Sequence, residues 1–430
     1  MYQVIVIFIV AAAYLALSGL SAALAFSHAD AWTVWLASGL TLGLLLARPR
    51  SSWPAILAGV FVGAGTFSLF TGGKLEAIGY GAIEALTGAA GAWVASRMTG
   101  LPAHLDRPRD LAALVFGGAL PQALLGAFIA GGWNVASGGA EGVATFRMWA
   151  LSNLVGTLLV APLVIAWAQF RPKRSGGLAM PAFAGGAIAC VLFLLSMYLL
   201  FRAGPEQHLG GNVGRGLIYV PIVFMAELAL LWGLRGATLV AAIGTLIALF
   251  ETKWGRGPFA GIQGYLGDPE LEVQAYAVAV ALTGILVAVL VARERIATRL
   301  ARDWQTRFEA AIGAHRLIAY EWDPASGRMA VTGDTAQLLG IAPSGIATLA
   351  DWLALSVPDD RARVAERFEQ RALSERALDT LKYGVQGPGG APLAVSDEAR
   401  PILDHDGALH RVVGIVRVAH GAAGLGEPEQ

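Results

Sequence analysis

The sequence predicts a membrane protein of the all-α class, a polytopic bundle of about eight to ten transmembrane helices, with a smaller α+β domain at the C-terminus. Three observations support this prediction. Hydrophobic residues make up 56% of the 430 residues and charged residues only 14%, whereas soluble globular proteins contain about 25% charged residues. The apolar residues form long runs as far as Ala292. Beyond it, the composition is that of an ordinary soluble domain.

About ten apolar segments in residues 1–292 approach or reach the length of a transmembrane helix, which needs roughly 20 mostly apolar residues. The first is interpreted as a retained span, because no basic residue precedes its apolar run. The two segments beside Leu234 are so closely joined that they can form one helical hairpin, and about eight spans is the alternative. The predicted spans are Tyr2–Phe26, Ala31–Ala47, Trp53–Phe70, Leu75–Ser96, Asp110–Gly131, Phe146–Phe170, Met180–Phe201, Leu217–Gly233, Gly236–Thr252 and Leu271–Ala292.

The lysine and arginine residues of the loops predict that both termini face the cytoplasm, because cytoplasmic loops carry an excess of these residues. With a cytoplasmic N-terminus, the inner loops hold about nine and the outer loops about six. Five further arginines follow the last span between Arg293 and Arg307.

Residues 293–312 are predicted to form a linker helix. Apolar side chains recur every four residues among charged ones, which is typical of an amphipathic helix. This stripe can pair with a second copy as a coiled coil or pack on the soluble domain, and we expect a homodimer through the linker helix and the soluble domain. The apolar stripe consists of Ile296, Leu300, Trp304, Phe308 and Ile312.

Residues 313–419 are predicted to form a soluble domain of two strands, a helical middle and three strands. Alternating apolar residues and turn signals such as GPGG and DHDG indicate the strands. Pro358, with Asp359 and Asp360 in the first turn, is typical of a helix start. Residues 420–430 contain Gly, Pro and Glu with little to bury, so a disordered tail is expected.

The order of these elements resembles a PAS domain over Phe308 to Val418. Its best motif runs from Trp352 through Pro358, Asp359 and Asp360, and it is similar to the family pattern of a Trp followed by HPDDR. Val357 stands where that pattern has His. The resemblance therefore implies the fold and not a particular ligand site.

The membrane part resembles the first type of membrane-associated sensor (MASE) domain, a multi-span input module of bacterial histidine kinases and diguanylate cyclases. The resemblance implies a sensory role in the bacterial inner membrane. Where many members have an acidic residue this chain has Asn153, so the resemblance carries no proton-linked or cation-linked role to that position. The motifs are WLASGLTLGLLL from Trp35, RPRSSWPAILAGVFVG from Arg48, AIEALTGAAGAWV around Glu84, WALSNLVGTLLVAPLVIAW from Trp149, WGLRGATLV from Trp232 and GRGPF from Gly255.

Two carboxylates lie deep inside predicted spans, Glu84 and Glu227. An ionisable group there costs roughly 2.5 to 3.5 kcal/mol, so each is a candidate for function. Both are expected to face the bundle interior and to take part in signal binding or switching. The alternative is a structural hydrogen bond, or an ion pair with Arg147 or Arg235.

A second polar set surrounds the fifth and sixth spans. Trp149 and Asn153 are one helical turn apart and share a face. Contacts between helices are the simpler explanation of this set, and ligand binding is the alternative. Trp35 and Trp53 fit an aromatic belt at the membrane surface. The polar set is Gln122, Asn134, Trp149, Ser152 and Asn153, and the candidate sensing or switch residues are Glu84, Glu227, Trp149, Asn153 and Trp35.

No cofactor, metal or nucleic acid is predicted. The seven histidines form no zinc motif, and the formal net charge of +0 provides no basic field for nucleic acid. The soluble domain contains no cysteine for a thiol-linked flavin. A small ligand in the PAS pocket, or a haem held by His315, His405 or His410, remains open.

The leading hypothesis is the input part of a transmembrane signalling protein, such as that of a two-component system. It would respond to an unidentified small-molecule or protein signal, with membrane lipid as its surroundings. No kinase, cyclase or phosphodiesterase motif is present, so we expect this chain not to be an enzyme. A transporter is the alternative, although the halves show no inverted repeat. A membrane-embedded enzyme is a third reading, which lacks an acid, base and nucleophile cluster.

Overall fold

The computed structural model describes residues 1–26, 32–71, 74–136, 142–168, 170, 179–202, 216–260, 269–315, 317–373, 380–404 and 409–418. The chain divides into two compact units, Met1–Ile296 and Ala297–Gln430. The tail predicted at 420–430 lies outside the described residues.

The first unit is helical, as predicted. Seven of the described helices are long and apolar enough to cross a membrane, which confirms the polytopic bundle. The helices are α1 (Tyr2–Leu24), α2 (Leu36–Ala47), α3 (Trp53–Thr71), α4 (Lys74–Thr99), α5 (Pro108–Ala136), α6 (Gly142–Ala168), α7 (Met180–Phe201), α8 (Val220–Lys253) and α9 (Pro269–Ala314).

Helix α2 differs from the predicted span. It has 12 residues, about 18 Å at 1.5 Å per residue, and a hydrocarbon core is about 30 Å thick. Nearly every α2 side chain is buried. The residues before it, 32–35, are non-helical. Such backbone is tolerated at membrane depth only inside protein, so α2 is a central helix and not a lipid-facing span.

Helix α8 reverses its direction at Gly233, where the backbone adopts φ 66° and ψ −155°. A Cβ atom on Gly236 would lie 3.5 Å from the carbonyl oxygen of Leu228, whereas eight residues of a straight helix span about 12 Å. Residues 220–232 and 234–253 are therefore the two arms of a helical hairpin. The positive φ is one that glycine adopts readily.

Helix α5 contains a π-helical segment at Ala113–Ala119, directly before Leu120 and Pro121. Proline removes one backbone donor and disturbs the preceding turn, and π-helical turns accommodate such irregularities. In α6, Pro162 lies inside the helix. No feature of the sequence predicted the π-helical segment.

Helix α9 continues without interruption through the predicted linker at 293–312. Residues 293–311 are all exposed, whereas Ile312 is buried. The exposed part includes the large apolar side chains Leu300 and Trp304, which are 55% and 70% exposed. The helix and its apolar stripe agree with the sequence prediction, and the part of the stripe from Ile296 to Phe308 is not covered by other described residues.

The second unit contains a five-stranded antiparallel sheet in the order β2-β1-β5-β4-β3, as expected of a PAS fold. The predicted order of two strands, helices and three strands is confirmed. The elements are β1 (Leu317–Trp322), β2 (Met329–Thr332), α10 (Thr335–Leu339), α11 (Leu349–Leu355), α12 (Pro358–Leu373), β3 (Leu381–Gln386), β4 (Pro392–Leu403) and β5 (Leu409–Val418).

The PAS motif joins α11, α12 and β3. The Gly384 N–H donates to the Asp360 carboxylate at 2.7 Å, and the Val357 N–H donates to the Gly384 carbonyl at 2.9 Å. Burial alone would raise the pKa of Asp360, but hydrogen bonds from Gly384 and Arg363 hold it below its ordinary value. Asp359 is exposed. The motif thus supports the fold, as its resemblance implied.

Candidate functional site

Trp35 lies in the core of the bundle and not in an interfacial belt. Its side chain is 8% exposed and its ring packs against Trp32 and Phe67. Its backbone N–H donates to the Ser152 carbonyl at 2.9 Å. The belt prediction was wrong because Trp35 precedes the short helix α2, which starts inside the protein.

Ser38, one turn into α2, connects three helices. Its hydroxyl donates to the carbonyl of Trp35 at 2.7 Å and lies 3.0 Å from the Thr157 hydroxyl of α6. Its own carbonyl accepts from Gln122 Nε2 of α5 at 3.1 Å. These bonds hold the start of α2 against α5 and α6.

Glu84 of α4 lies beside this region, and its side chain is 3% exposed. The Tyr14 hydroxyl and the Trp35 indole are its hydrogen-bonding neighbours. Trp35 Nε1 in turn donates to the Tyr14 hydroxyl at 3.2 Å. Glu84 therefore faces the bundle interior, as predicted, and is linked through Trp35 to α2.

The bundle therefore contains a buried group of residues from five helices, joined by hydrogen bonds of their side chains and backbone carbonyls, which we name the central cluster. It connects a carboxylate of α4 with the start of α2 and with the middle of α6. Buried polar networks are energetically sensitive to the loss of a single partner. The central cluster consists of Tyr14, Trp35, Ser38, Glu84, Gln122, Asn153 and Thr157.

Two oxygen atoms of the central cluster are unsatisfied. Glu84 Oε2 and Gln122 Oε1 are buried, and neither has a hydrogen-bond partner among the described residues. The hydroxyl of Ser18, one turn from Tyr14 on α1, is in the same state. An unpaired buried acceptor costs about 1–3 kcal/mol. The cluster can accept hydrogen bonds beyond those that its own helices supply.

Asn153 and Trp149 take different positions. The Asn153 side-chain amide donates to the Trp149 carbonyl at 3.0 Å, and the backbone carbonyl of Asn153 accepts from the Ser38 hydroxyl at 3.2 Å. The Trp149 ring is half-buried and stacks on Tyr80 of α4, with centroids 5.6 Å apart. Asn153 belongs to the central cluster, whereas Trp149 lies at its edge.

Glu227 does not join the central cluster. Its side chain is exposed on the surface of the first arm of α8, which corrects the expectation that it faces the bundle interior. The described ion pairs include neither Glu84 nor Glu227, and Arg235 donates instead to the Ala166 carbonyl. The proposed partners Arg147 and Arg235 therefore do not pair with these carboxylates in the described residues.

The sequence analysis missed Tyr14, Ser38 and Thr157. A signal for α1 was available, because Tyr14, Ser18 and Ser21 recur at the i, i+4 and i+7 spacing of one helix face. All three are fully buried. No comparable signal marks Ser38, whose importance follows from the crossing of α2 with α6.

The core of the second unit contains its own polar chain. Trp352 Nε1 donates to the Tyr383 hydroxyl at 2.9 Å, and the Tyr320 hydroxyl donates to Asp397 at 3.0 Å. Trp352 is fully buried and Asp397 has no exposed surface. Across the described part of the chain, no group of three or more His, Cys, Asp or Glu residues forms a possible metal site. Of the haem candidates, His405 lies outside the described residues.

Comparison with known proteins gives two family matches. The model of MASE1 matches residues 4–295, and the model of the PAS fold matches residues 328–416. No curated protein matches the chain.

Two solved structures are similar to about a quarter of the chain. One is the N-terminal domain of a diguanylate cyclase with a PAS/PAC sensor from Marinobacter aquaeolei, with 14% identity, 24% of this chain and 94% of that chain covered, and a TM-score of 0.23. The other is a sensory box histidine kinase/response regulator from Burkholderia thailandensis, with 19% identity, 26% of this chain and 83% of that chain covered, and a TM-score of 0.22.

Proposed function

The chain belongs to the MASE1 family, and from this premise we propose that it is the input part of a bacterial transmembrane signalling protein, with the central cluster as its sensing element. A multi-pass membrane protein with MASE1 and PAS domains is a membrane sensory protein. The proposal concerns how the bundle registers a stimulus and how α9 passes it on. Both termini are proposed to face the cytoplasm, and the membrane to be the bacterial inner membrane.

The observation that supports the sensing role is the state of Glu84. It is a buried carboxylate with an unsatisfied oxygen, and its neighbours Tyr14 and Trp35 belong to other helices. A ligand, a proton or a shift of a helix that satisfies this oxygen would favour one packing of α1, α2 and α4 over another. A stimulus can change the balance of two packings only by interacting differently with each.

Helix α9 is the proposed output element. Its residues 269–296 belong to the bundle and its residues 297–314 to the second unit. A small displacement of a continuous helix is a common way to carry a change between domains. A kinase or cyclase activity, when present, is proposed to reside in a further domain or a separate partner and not in these residues.

Glu84→Gln is expected to change the balance of packings by about 1–3 kcal/mol, or roughly 5- to 150-fold, because the amide places a donor where Glu84 has an unsatisfied acceptor. The measurement is hydrogen exchange of residues 293–311 in the full chain in nanodiscs, together with the signalling output of the complete protein. Glu227→Gln is the matched control, since that side chain lies outside the central cluster. Equal results for Glu84→Gln and the unmodified protein, at normal insertion, would leave Glu84 a structural role only.

A homodimer through the apolar stripe of α9 is also proposed. Ile296, Leu300, Trp304 and Phe308 are each more than a third exposed, and a second copy would bury them as a coiled coil does.

In a Cys190→Ser background, Leu300→Cys is expected to give a disulfide-linked dimer under mild oxidation in membranes. Arg302→Cys is the control, because it lies about 200° further around the helix. Cross-linking that is equal at both positions would indicate random collision and would contradict the pairing.

A further inference from the structure

A cavity of about 240 Å³ opens at one end of the bundle, where α9 leaves the first unit. Its walls come from the loop before α5, the end of α6, the turn of the α8 hairpin and α9. Its lining includes the apolar side chains of Ile165, Leu234 and Val291. All lining residues belong to the first unit.

Two arginines line this cavity, Arg235 in the hairpin turn and Arg295 on α9. Arg235 Nε donates to the Ala166 carbonyl at 3.1 Å, and an Arg295 Nη atom donates to the Leu230 carbonyl at 2.5 Å. Each acceptor lies near the C-terminal end of a helical segment, where the helix dipole favours a cation. One hydrogen bond of each guanidinium therefore holds it in place.

Most donors of these guanidiniums remain available. A guanidinium carries five N–H donors, and in the described part of the chain neither Arg235 nor Arg295 forms an ion pair. Asp106 and His104 also line the cavity. Two arginines against one aspartate leave the described lining with an excess positive charge.

We propose that this cavity binds the phosphoryl headgroup of an anionic membrane lipid. Arginine binds phosphate through paired N–H donors, and basic pockets between transmembrane helices suit such headgroups. The volume is below the range of about 300–1,000 Å³ that is usual for drug-sized ligands. It suits a headgroup, with the acyl chains lying outside along the apolar helices.

The lipid would bridge the α8 hairpin and α9. Arg235 and Arg295 lie on different elements, and one phosphate shared between them would hold these elements together at the point where α9 leaves the bundle. The regulatory consequence rests on the proposed sensory function. Lipid binding does not rest on it, so the test below measures binding without any signalling output. Failure of the lipid proposal would leave the proposed sensory function intact, and the reverse also holds.

The test uses the full chain in nanodiscs of phosphatidylcholine with or without phosphatidylglycerol, followed by native mass spectrometry of retained lipid. Arg235→Gln/Arg295→Gln is expected to lower the apparent affinity for phosphatidylglycerol about tenfold or more. Arg299→Gln is the matched control, because Arg299 is exposed on α9 one turn beyond Arg295 and does not line the cavity.

Equal loss in the control and the double variant would show general attraction to surface charge and would overturn the proposal, as would equal retention of phosphatidylcholine. Displacement of the lipid by inorganic phosphate alone would assign the cavity to a soluble phosphate and overturn the lipid source. Should the double variant not fold, Arg295→Gln alone, at an exposed position, must show a selective loss of phosphatidylglycerol for the proposal to stand.

Discussion

Gly156→Ala is expected to prevent the bundle from packing, although it adds a single methyl group. A Cβ atom at Gly156 would lie 1.9 Å from the carbonyl oxygen of Trp35. That atom is backbone and cannot rotate away. Adding methylenes to a packed core costs about 1–3 kcal/mol when side chains can adjust, and here the two helices themselves must separate.

The separation would also dismantle the central cluster. The Trp35 N–H bond to Ser152 and the contact of Ser38 with Thr157 both cross the same α2–α6 interface. Close approach of backbones at small residues is the usual way in which membrane helices associate. The expected result is a loss of monodisperse protein in detergent or a large fall in melting temperature.

Gly132→Ala is the matched control for this experiment. Gly132 lies in α5, and an added Cβ atom there meets nothing within 4 Å. Alanine has the higher helix propensity, by about 1 kcal/mol, so this variant is expected to be neutral or slightly stabilising. Similar melting of the two variants would contradict the backbone contact between α2 and α6.

Trp352→Ala is expected to unfold the second unit or bring it close to unfolding. Trp352 is fully buried, packs beside Tyr320 and donates to Tyr383, in a core that also contains Phe368. Replacing a buried Trp by Ala costs about 3–5 kcal/mol, and the hydrogen bond to Tyr383 is lost as well. A domain has only about 5–15 kcal/mol of stability in total. Hydrogen exchange of β3, β4 and β5 in the full chain measures the loss.

The same substitution at Trp304 provides the control. Trp304 is 70% exposed on α9, so Trp304→Ala should leave exchange in the sheet unchanged. Trp352→Phe should have an intermediate effect, because it keeps an aromatic ring and removes the donor to Tyr383. If Trp352→Ala leaves the sheet protected, then the motif does not anchor the PAS fold.

The features that could be read from the sequence depend on local chemistry. Helices such as Met180–Phe201 were predicted at their observed bounds, because an apolar run in lipid must satisfy its own backbone hydrogen bonds. The strands of the PAS domain were predicted from alternation and from turn residues. The α8 hairpin could be proposed from the sequence because the short stretch GLRG interrupts the apolar run.

The composition of the site was harder to predict. Glu84 and Glu227 look alike in sequence, yet one is buried in the central cluster and the other is exposed. In a soluble protein the polar face of a helix shows which side meets water. A membrane helix has apolar residues toward both lipid and protein, so its sequence does not show which face turns inward.

The sequence by itself determined that this chain is a membrane bundle followed by an α+β domain, because hydrophobic length and strand alternation are properties of single segments. Only the tertiary structure decided that α2 is a short central helix, that Trp35 joins Glu84 in the core and that Glu227 lies outside. These outcomes depend on close backbone contacts between helices far apart in the chain, such as that of Gly156 with Trp35. No single segment contains that information.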